Sequence, residues 1–175
     1  MISTLLSTTT VDADSSAVIS SNITSTYDEY MFVMTDLSVS VDREDMPISF
    51  SATGTFSALN CVTTAFEAAH TEADGSGLTY QAGMDTTGSG VKIFNTSEAG
   101  NAADESVSLI LHLFRPSNTT YVKHFYFTST GSGYDERVGT YYVAGYVNST
   151  SAITQLKMAP SSGNFDGVIQ LYGIA

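Results

Sequence analysis

The chain has 175 residues, of which 18 are acidic and 6 are basic, so its formal net charge at pH 7 is −12. Contacts to phosphates need clustered lysine and arginine side chains, so this charge argues against nucleic acid as a partner. It also argues against binding to an anionic membrane surface. A chain of this length folds as one ordinary domain, which buries roughly 70% of the surface that the unfolded chain exposes.

We predict neither a disulfide nor a membrane-spanning segment. Cys61 is the only cysteine, so no intrachain disulfide can form, and we interpret it as a small buried side chain. No stretch approaches the roughly 20 consecutive apolar residues of a transmembrane helix. The first residues, MISTLLSTTT, lack the basic segment and the long apolar core of a signal peptide, so we do not expect export by the Sec route.

Apolar and polar residues alternate through most of the chain between turn residues, which is typical of an all-β sandwich or barrel. We interpret residues 1–25 as an N-terminal arm or a first strand, with an early strand over residues 17–23. Residues 26–175 are predicted to form a single-domain antiparallel β-sandwich, jelly-roll-like in topology. Its next strands cover residues 30–37 and 48–53, and the acidic stretch DREDMP separates them.

Residues 62–70 fit two patterns, so strand and helix both stay open here. Four residues recur at helical spacing (Val62, Ala65, Phe66 and Ala69), and an overlapping set alternates (Thr64, Phe66, Ala68 and His70). The density of threonine and valine slightly favours a strand. Residues 74–101 are rich in glycine and acidic residues, which predicts long loops around one or two short strands.

The best-defined strand pair lies in ESVSLILHLFRPSNTTYVKHFYF. One face of its first strand is apolar, through Val107, Leu109, Leu111 and Leu113. Pro116 fixes φ at the second position of a turn over residues 115–118, and a second strand returns over residues 121–127. Pairing the strands about a tight turn places His112 opposite Tyr121. The same pairing places His124 opposite Leu109, so we expect the two histidines to lie apart and to form no metal pair.

Three further strands are predicted at residues 140–147, 152–158 and 168–174. The last of them reaches almost to the final residue, and its Ile169 and Leu171 share a face. Each of these two side chains contributes roughly 1.5–3 kcal/mol if buried. Because chain ends usually fray unless they are tied down, we expect an interior or well-covered strand here. A glycine this close to the end, Gly173, indicates a tight approach to a neighbour or a bend.

The residues that could carry chemistry form no catalytic pattern. We found no P-loop, no dinucleotide-binding fingerprint and no nucleophile elbow. The acidic residues form four clusters, each predicted in a loop: Asp12 and Asp14; Asp42, Glu44 and Asp45; Asp104 and Glu105; Asp135 and Glu136. None has the spacing of a known calcium loop. We therefore predict no enzymatic activity, no cofactor and no metal site; a glycan hydrolase, which needs two paired carboxylates, is the enzymatic alternative.

The ten tyrosines are more informative. Tyrosine is enriched at protein interfaces because it joins an apolar ring to a polar hydroxyl group. The candidate interface residues are Tyr134, Tyr141, Tyr142 and Tyr146. Alternation places Tyr142 and Tyr146 on one side of their strand and Tyr141 on the other. The core of the sandwich and its rim are the alternative location for these side chains.

Four motifs, taken in order, resemble those of a family of structural proteins of tailed bacteriophages, especially phages of marine bacteria. The motifs are YDEY at residues 27–30, FRPSNTTYVKH at residues 114–124, AGYVNSTSAI at residues 144–153 and IQLYGI at residues 169–174. The resemblance spans most of the chain from Tyr27 onward. In that family, a β-sandwich module with the Ile-x-Leu-Tyr-Gly-Ile ending often caps longer tail or fibre proteins.

The resemblance implies a non-enzymatic virion structural protein. Because residues 1–25 are too few for a fibre shaft, we expect a capsid decoration (cement) protein on the capsid surface that binds and stabilises the shell of major capsid protein. Viral sandwiches assemble with closed symmetry, so we expect a homo-oligomer, with a trimer favoured and residues 1–16 as a docking arm. The alternative is a tail or head fibre knob that binds a host surface glycan.

Overall fold

The computed structural model describes residues 2–95, 100–133 and 136–175. These residues form twelve strands and one short 3₁₀ helix, and the predicted all-β antiparallel sandwich is confirmed. The strands in chain order are β1 (Ser3–Asp14), β2 (Ala17–Ile19), β3 (Glu29–Val39), β4 (Pro47–Ser51), β5 (Cys61–Thr71), β6 (Ser76–Tyr80), β7 (Val91–Lys92), β8 (Val107–Phe114), β9 (Lys123–Gly133), β10 (Arg137–Val147), β11 (Gln155–Met158) and β12 (Phe165–Ile174). The 3₁₀ helix covers Ala82–Met84, between β6 and β7.

The two layers are unequal in size. The large sheet has eight strands in the order β1-β12-β3-β8-β9-β10-β5-β6, and the small sheet has four in the order β2-β11-β4-β7. Side chains alternate across a strand, so one face of each sheet points into the space between the layers. Strand β8 shows this plainly, because Leu109 and Leu111 are buried while Ile110 between them is exposed. The core therefore lies between the sheets, and the second face of the large sheet points away from it.

The last strand is an interior strand, as predicted. Strand β12 pairs with β1 on one side and with β3 on the other, and Ile169 and Leu171 are buried against the core. Gly173 is closely approached by the ring of Tyr27, since a Cβ atom at position 173 would lie 2.3 Å from that ring. The prediction of a tight approach at this glycine is confirmed, and the ring leaves no room for a side chain there.

Residues 62–70 belong to a strand, not to a helix. They lie within β5, which pairs along its whole length with β10 and also pairs with β6. The apparent helical stripe divides between two faces, because Ala65 is buried whereas Phe66 is exposed. In the described part of residues 74–101, the predicted short strands are β6 and β7, with loops around them.

The predicted strands on both sides of Pro116 are confirmed as β8 and β9, but their register differs from the prediction. His112 faces Tyr126, five positions later than the expected Tyr121, and Leu109 faces Ser129. His124 lies outside the β8–β9 ladder and pairs with Tyr146 of β10 instead.

The register differs because the connection from β8 to β9 is longer than a tight turn. The predicted turn at Pro116 is present, since the Asn118 amide donates to the Arg115 carbonyl. The chain then makes a second turn, in which the Asn118 side-chain oxygen accepts hydrogen bonds from the Thr120 and Tyr121 amides. Asparagine commonly bonds its own backbone in this way, and the second turn delays the start of β9.

The N-terminal residues form an edge strand of the large sheet. Strand β1 pairs with β12 of the same chain as far as Asp14, which faces Phe165. The expectation that Asp12 and Asp14 lie in a loop was therefore wrong, because the ladder continues through them. The acidic residues at 42–45, 104–105 and 136 do lie outside strands, and Asp135 lies outside the described residues.

Candidate interaction surface

The face of the large sheet that points away from the small sheet, here called the outer face, carries exposed apolar side chains. Strands β3, β8, β9, β10, β5 and β6 contribute to it. Its large exposed hydrophobic residues are Phe66, Leu78, Tyr80, Ile110, Tyr126, Val138 and Tyr142. Side chains of directly paired residues point to the same side of a sheet, so the strand registers show which residues are neighbours.

One row of outward residues crosses six strands. It runs through Val33, Ile110, Thr128, Tyr142, Phe66 and Tyr80. The rings of Phe66 and Tyr142 stack, with 4.7 Å between their centroids and 12° between their planes. An aromatic pair of this kind contributes about 0.5–1.5 kcal/mol beyond the area it buries. The stack therefore holds both rings in place on the open surface.

A parallel row runs through Met31, His112, Tyr126, Ala144 and Thr64. The ring of His112 stacks on that of Tyr126, with 4.7 Å between the centroids and 13° between the planes. On its other side, His112 Nδ1 lies 2.5 Å from the Oε1 atom of Glu29. The histidine is thus fixed between a carboxylate and an aromatic ring, and the surface around it is preorganised.

The two rows border a shallow depression of about 470 Å³ over strands β3, β8 and β9. Its lining includes Val33, Ile110, His112, Tyr126 and Thr128. Neither row contains an aspartate, a glutamate, a lysine or an arginine. A chain of net charge −12 therefore presents a largely apolar surface across six strands, with the carboxylates of Glu29 and Asp85 at its borders in contact with His112 and Tyr80.

The predicted interface tyrosines fall in different places. Tyr142 is exposed on the outer face, and Tyr146 lies near the end of the same strand, in an edge contact with His124 at 6.2 Å between ring centroids. Tyr141 points to the opposite side, is buried, and donates a hydrogen bond to Glu67, so it does not contribute to this surface. Tyr134 lies outside the described residues.

Several members of the surface were not predicted as interface residues. Phe66, Tyr80, Ile110 and Tyr126 come from four different strands, and only the sheet registers bring them together. A signal for them exists in the sequence. Strand β8 carries an isoleucine at an outward position between two inward leucines, where a strand with one solvated face usually carries a polar residue.

A buried carboxylate ties three elements together beneath this part of the sheet. Glu67 is 4% exposed. Its Oε1 atom lies 3.2 Å from Arg137 Nη2 and accepts a hydrogen bond of 3.2 Å from the Tyr141 hydroxyl. Its Oε2 atom accepts a hydrogen bond from the Gln81 amide. Because the charge of Glu67 is paired and both of its oxygens accept hydrogen bonds, this network is best explained as structural support for β5 and β10.

A buried lysine ties two connections together in a similar way. Lys123 is buried, and burial lowers the pKa of its ammonium group because the charged form loses hydration. Its Nζ atom donates to the carbonyls of Tyr121 at 3.2 Å and Ser149 at 3.0 Å. These bonds fasten the β8–β9 connection to the connection that follows β10.

A polar cleft of about 630 Å³ lies at one end of the large sheet. Its acidic lining residues are Glu72, Asp74, Asp104, Glu105 and Glu136. His70 Nε2 lies 3.3 Å from Asp74 Oδ1 within this cleft. Across residues 2–95, 100–133 and 136–175, no group of three or more histidine, cysteine, aspartate or glutamate side chains is arranged to hold a metal ion.

The single thiol is sealed in the core. Cys61 is fully buried, and burial raises the pKa of its thiol to about 12. Native protein should therefore react with an aromatic disulfide reagent at least about a thousandfold more slowly than unfolded protein, since reaction requires an opening that costs ~5 kcal/mol or more. Absorbance of the released thiolate, followed in buffer and in denaturant, measures both rates. Comparable rates would contradict the burial of this thiol.

In the part of the chain that the structure describes, no helix has the length and apolar character needed to cross a bilayer. The chain was compared with protein-family models, with curated proteins and with solved structures. None of these comparisons gave a match. The resemblance to phage structural proteins therefore stays a prediction that rests on the four sequence motifs.

Proposed function

We propose that this chain is a non-enzymatic structural protein of a phage virion, a capsid decoration protein that binds and stabilises the shell of major capsid protein. The motifs at residues 27–30, 114–124, 144–153 and 169–174 support the proposal through their resemblance to that family. The structural observation that carries it is the largely apolar outer face. Self-association into a homo-oligomer on the capsid surface is part of the proposal.

The outer face gathers seven large exposed apolar side chains from five strands. Contiguous exposed apolar patches on soluble monomers rarely exceed a few hundred Å², and larger ones mark sites of protein or membrane interaction. Aromatic residues are enriched at protein interfaces, and charged residues are depleted at their centres. Tyr126, Tyr142 and Phe66, with no charged neighbour in their rows, match both features.

Three of the described residues that could carry chemistry are engaged in holding the fold. Cys61 is sealed in the core, Glu67 is bonded to three side chains, and Lys123 is bonded to two carbonyls. The flat outer face also lacks the deep, enclosed shape of most small-molecule sites. These features support a role in assembly over a role in catalysis.

The proposal is tested by assembling particles with and without this protein. Particles that lack it are expected to lose integrity at a lower temperature, because bound subunits stabilise only the assembled shell. When the particles are diluted into low salt, those without the protein should break down first, at a salt concentration at which particles with the protein stay intact. Light scattering and electron microscopy report the loss, and adding back the purified protein should restore resistance. Unchanged resistance would contradict the proposal. Quantifying copies per virion separates the shell, with hundreds of copies, from the alternative fibre knob, with a handful.

A further inference from the structure

We infer that two copies of this chain pack outer face against outer face about a twofold axis, and that this pair is the building unit of the assembly. The inference rests on the proposed function, because it identifies the partner that binds the outer face, and the proposed function depends on that face. The pair differs from the trimer that the resemblance favours. Area, charge and sheet geometry each support the pair.

The outer face is large enough for a stable pair. The six strands β3, β8, β9, β10, β5 and β6 span about 24 Å at ~4.8 Å between neighbouring strands. From Val138 to Tyr146, strand β10 extends about 26 Å at ~3.3 Å per residue. A face of these dimensions covers roughly 600 Å², so two copies bury roughly 1,200 Å² together, above the ~1,000 Å² that a specific interface needs.

Charge favours a second copy at this face over any other approach between copies. Two chains of net charge −12 repel each other wherever their carboxylates come within the Debye length of about 8 Å at physiological salt. The end of the large sheet presents the acidic cleft. The outward side of the small sheet spans only four strands and carries the charged Lys157 between Val18 and Ser49, so its uncharged area is smaller. No side chain within the two apolar rows is an aspartate, glutamate, lysine or arginine. The carboxylates that touch the rows, Glu29 at His112 and Asp85 at Tyr80, lie at opposite borders, so copies that meet there bring few carboxylates together.

The shape of a sheet makes this surface complementary to itself. Every β-sheet has the same hand of twist, so two copies of one sheet stack with their strands about 30° apart and roughly 10 Å between layers. A twofold axis sets the same patch against itself, which a surface with no charged residue in its two rows tolerates without opposing like charges there. The stacked pairs of Phe66 with Tyr142 and of His112 with Tyr126 already fix the ring orientations that the second copy would meet.

The test compares two substitutions at positions of nearly equal exposure. Ile110 is 45% exposed at the centre of the outer face, and Val18 is 43% exposed on the small sheet. At about 100 µM, well above the micromolar Kd of a weak specific interface, the unchanged protein should scatter light as a dimer of twice 18.6 kDa. Ile110→Glu should shift the mass to the monomer, because each copy then buries an unpaired carboxylate. Val18→Glu adds the same charge and should leave the dimer intact.

Thermal unfolding of each variant distinguishes loss of the pair from loss of the fold. If Ile110→Glu does not fold, Tyr142→Glu provides a second disruption two strands away in the same row, with the same expected monomer. A monomeric or trimeric unchanged protein would overturn the inference, as would a dimer that survives either folded glutamate variant. These results are separate from the particle test. If the protein is monomeric and particles without it are nevertheless less resistant, the decoration role is retained and the pair is excluded.

Discussion

Removal of residues 165–175 is expected to abolish cooperative folding. The deletion takes away β12, which lies between β1 and β3 and pairs with both. Four of its side chains are buried: Phe165, Ile169, Leu171 and Ile174. At roughly 1.5–3 kcal/mol each, they contribute about as much as the ~5–15 kcal/mol by which a typical domain is stable. Near-ultraviolet circular dichroism and thermal unfolding of the shortened chain test this expectation.

A matched deletion of residues 1–14 removes a strand of similar length from the edge of the same sheet. Strand β1 buries Val11 and partly covers Leu6, and most of its other residues are exposed or half-buried. We therefore expect this variant to fold with a lowered melting temperature, because β3 retains both of its neighbours. Cooperative unfolding of the chain without residues 165–175 would contradict the interior position of β12. If neither shortened chain folds, the expected difference between β1 and β12 is contradicted.

The substitution Glu67→Ala is expected to destabilise the protein by about 3 kcal/mol, the lower end of the range for breaking a buried ion pair. It removes the Glu67 carboxylate from beside the Arg137 guanidinium, and it removes the acceptors of Tyr141 and Gln81. For a chain of this size the expected fall in melting temperature is about 6–12 °C. Chemical denaturation gives the free energy of unfolding directly.

Two controls define what the lost carboxylate contributes. Glu67→Gln keeps a side-chain oxygen that can accept from Tyr141 and loses the charge, so its cost should be smaller than that of Glu67→Ala. The exposed Glu72 lies five residues later in the chain, and Glu72→Ala should change the free energy of unfolding by less than about 0.5 kcal/mol. A loss below about 1 kcal/mol for Glu67→Ala would contradict a stabilising role for this network.

The alternation of residue types predicted most strands and the faces they bury. In β8 and β10 the residues that share a face were grouped correctly, because a period of two has a direct structural meaning. The last strand was recognised from burial arguments alone. Residues 62–70 stayed ambiguous since small residues, such as Ala65 and Ala69, satisfy both periods; pairing with β10 and β6 decides for the strand.

The register between strands could not be derived with the same accuracy. A tight turn at Pro116 set the predicted pairing, and the second turn made by the Asn118 side chain moved every partner in β9 by five positions. The outer face depends on such registers, because its residues lie far apart in sequence. The clustering of tyrosines along the chain therefore selected Tyr142, which lies on the outer face, together with Tyr141, which points inward. It did not select Phe66 and Ile110, which also lie on the outer face.

The pairing of the first strand with the last has a consequence for how the chain is made. Ser3 faces Ile174, so β1 cannot complete its ladder until β12, which is far later in the chain, has also been synthesised. Until then, the nascent chain exposes unsatisfied strand edges, and closing so long a loop is a slow step. Translation rate and chaperone supply, more than the thermodynamics of the finished sandwich, should then govern the yield of native protein.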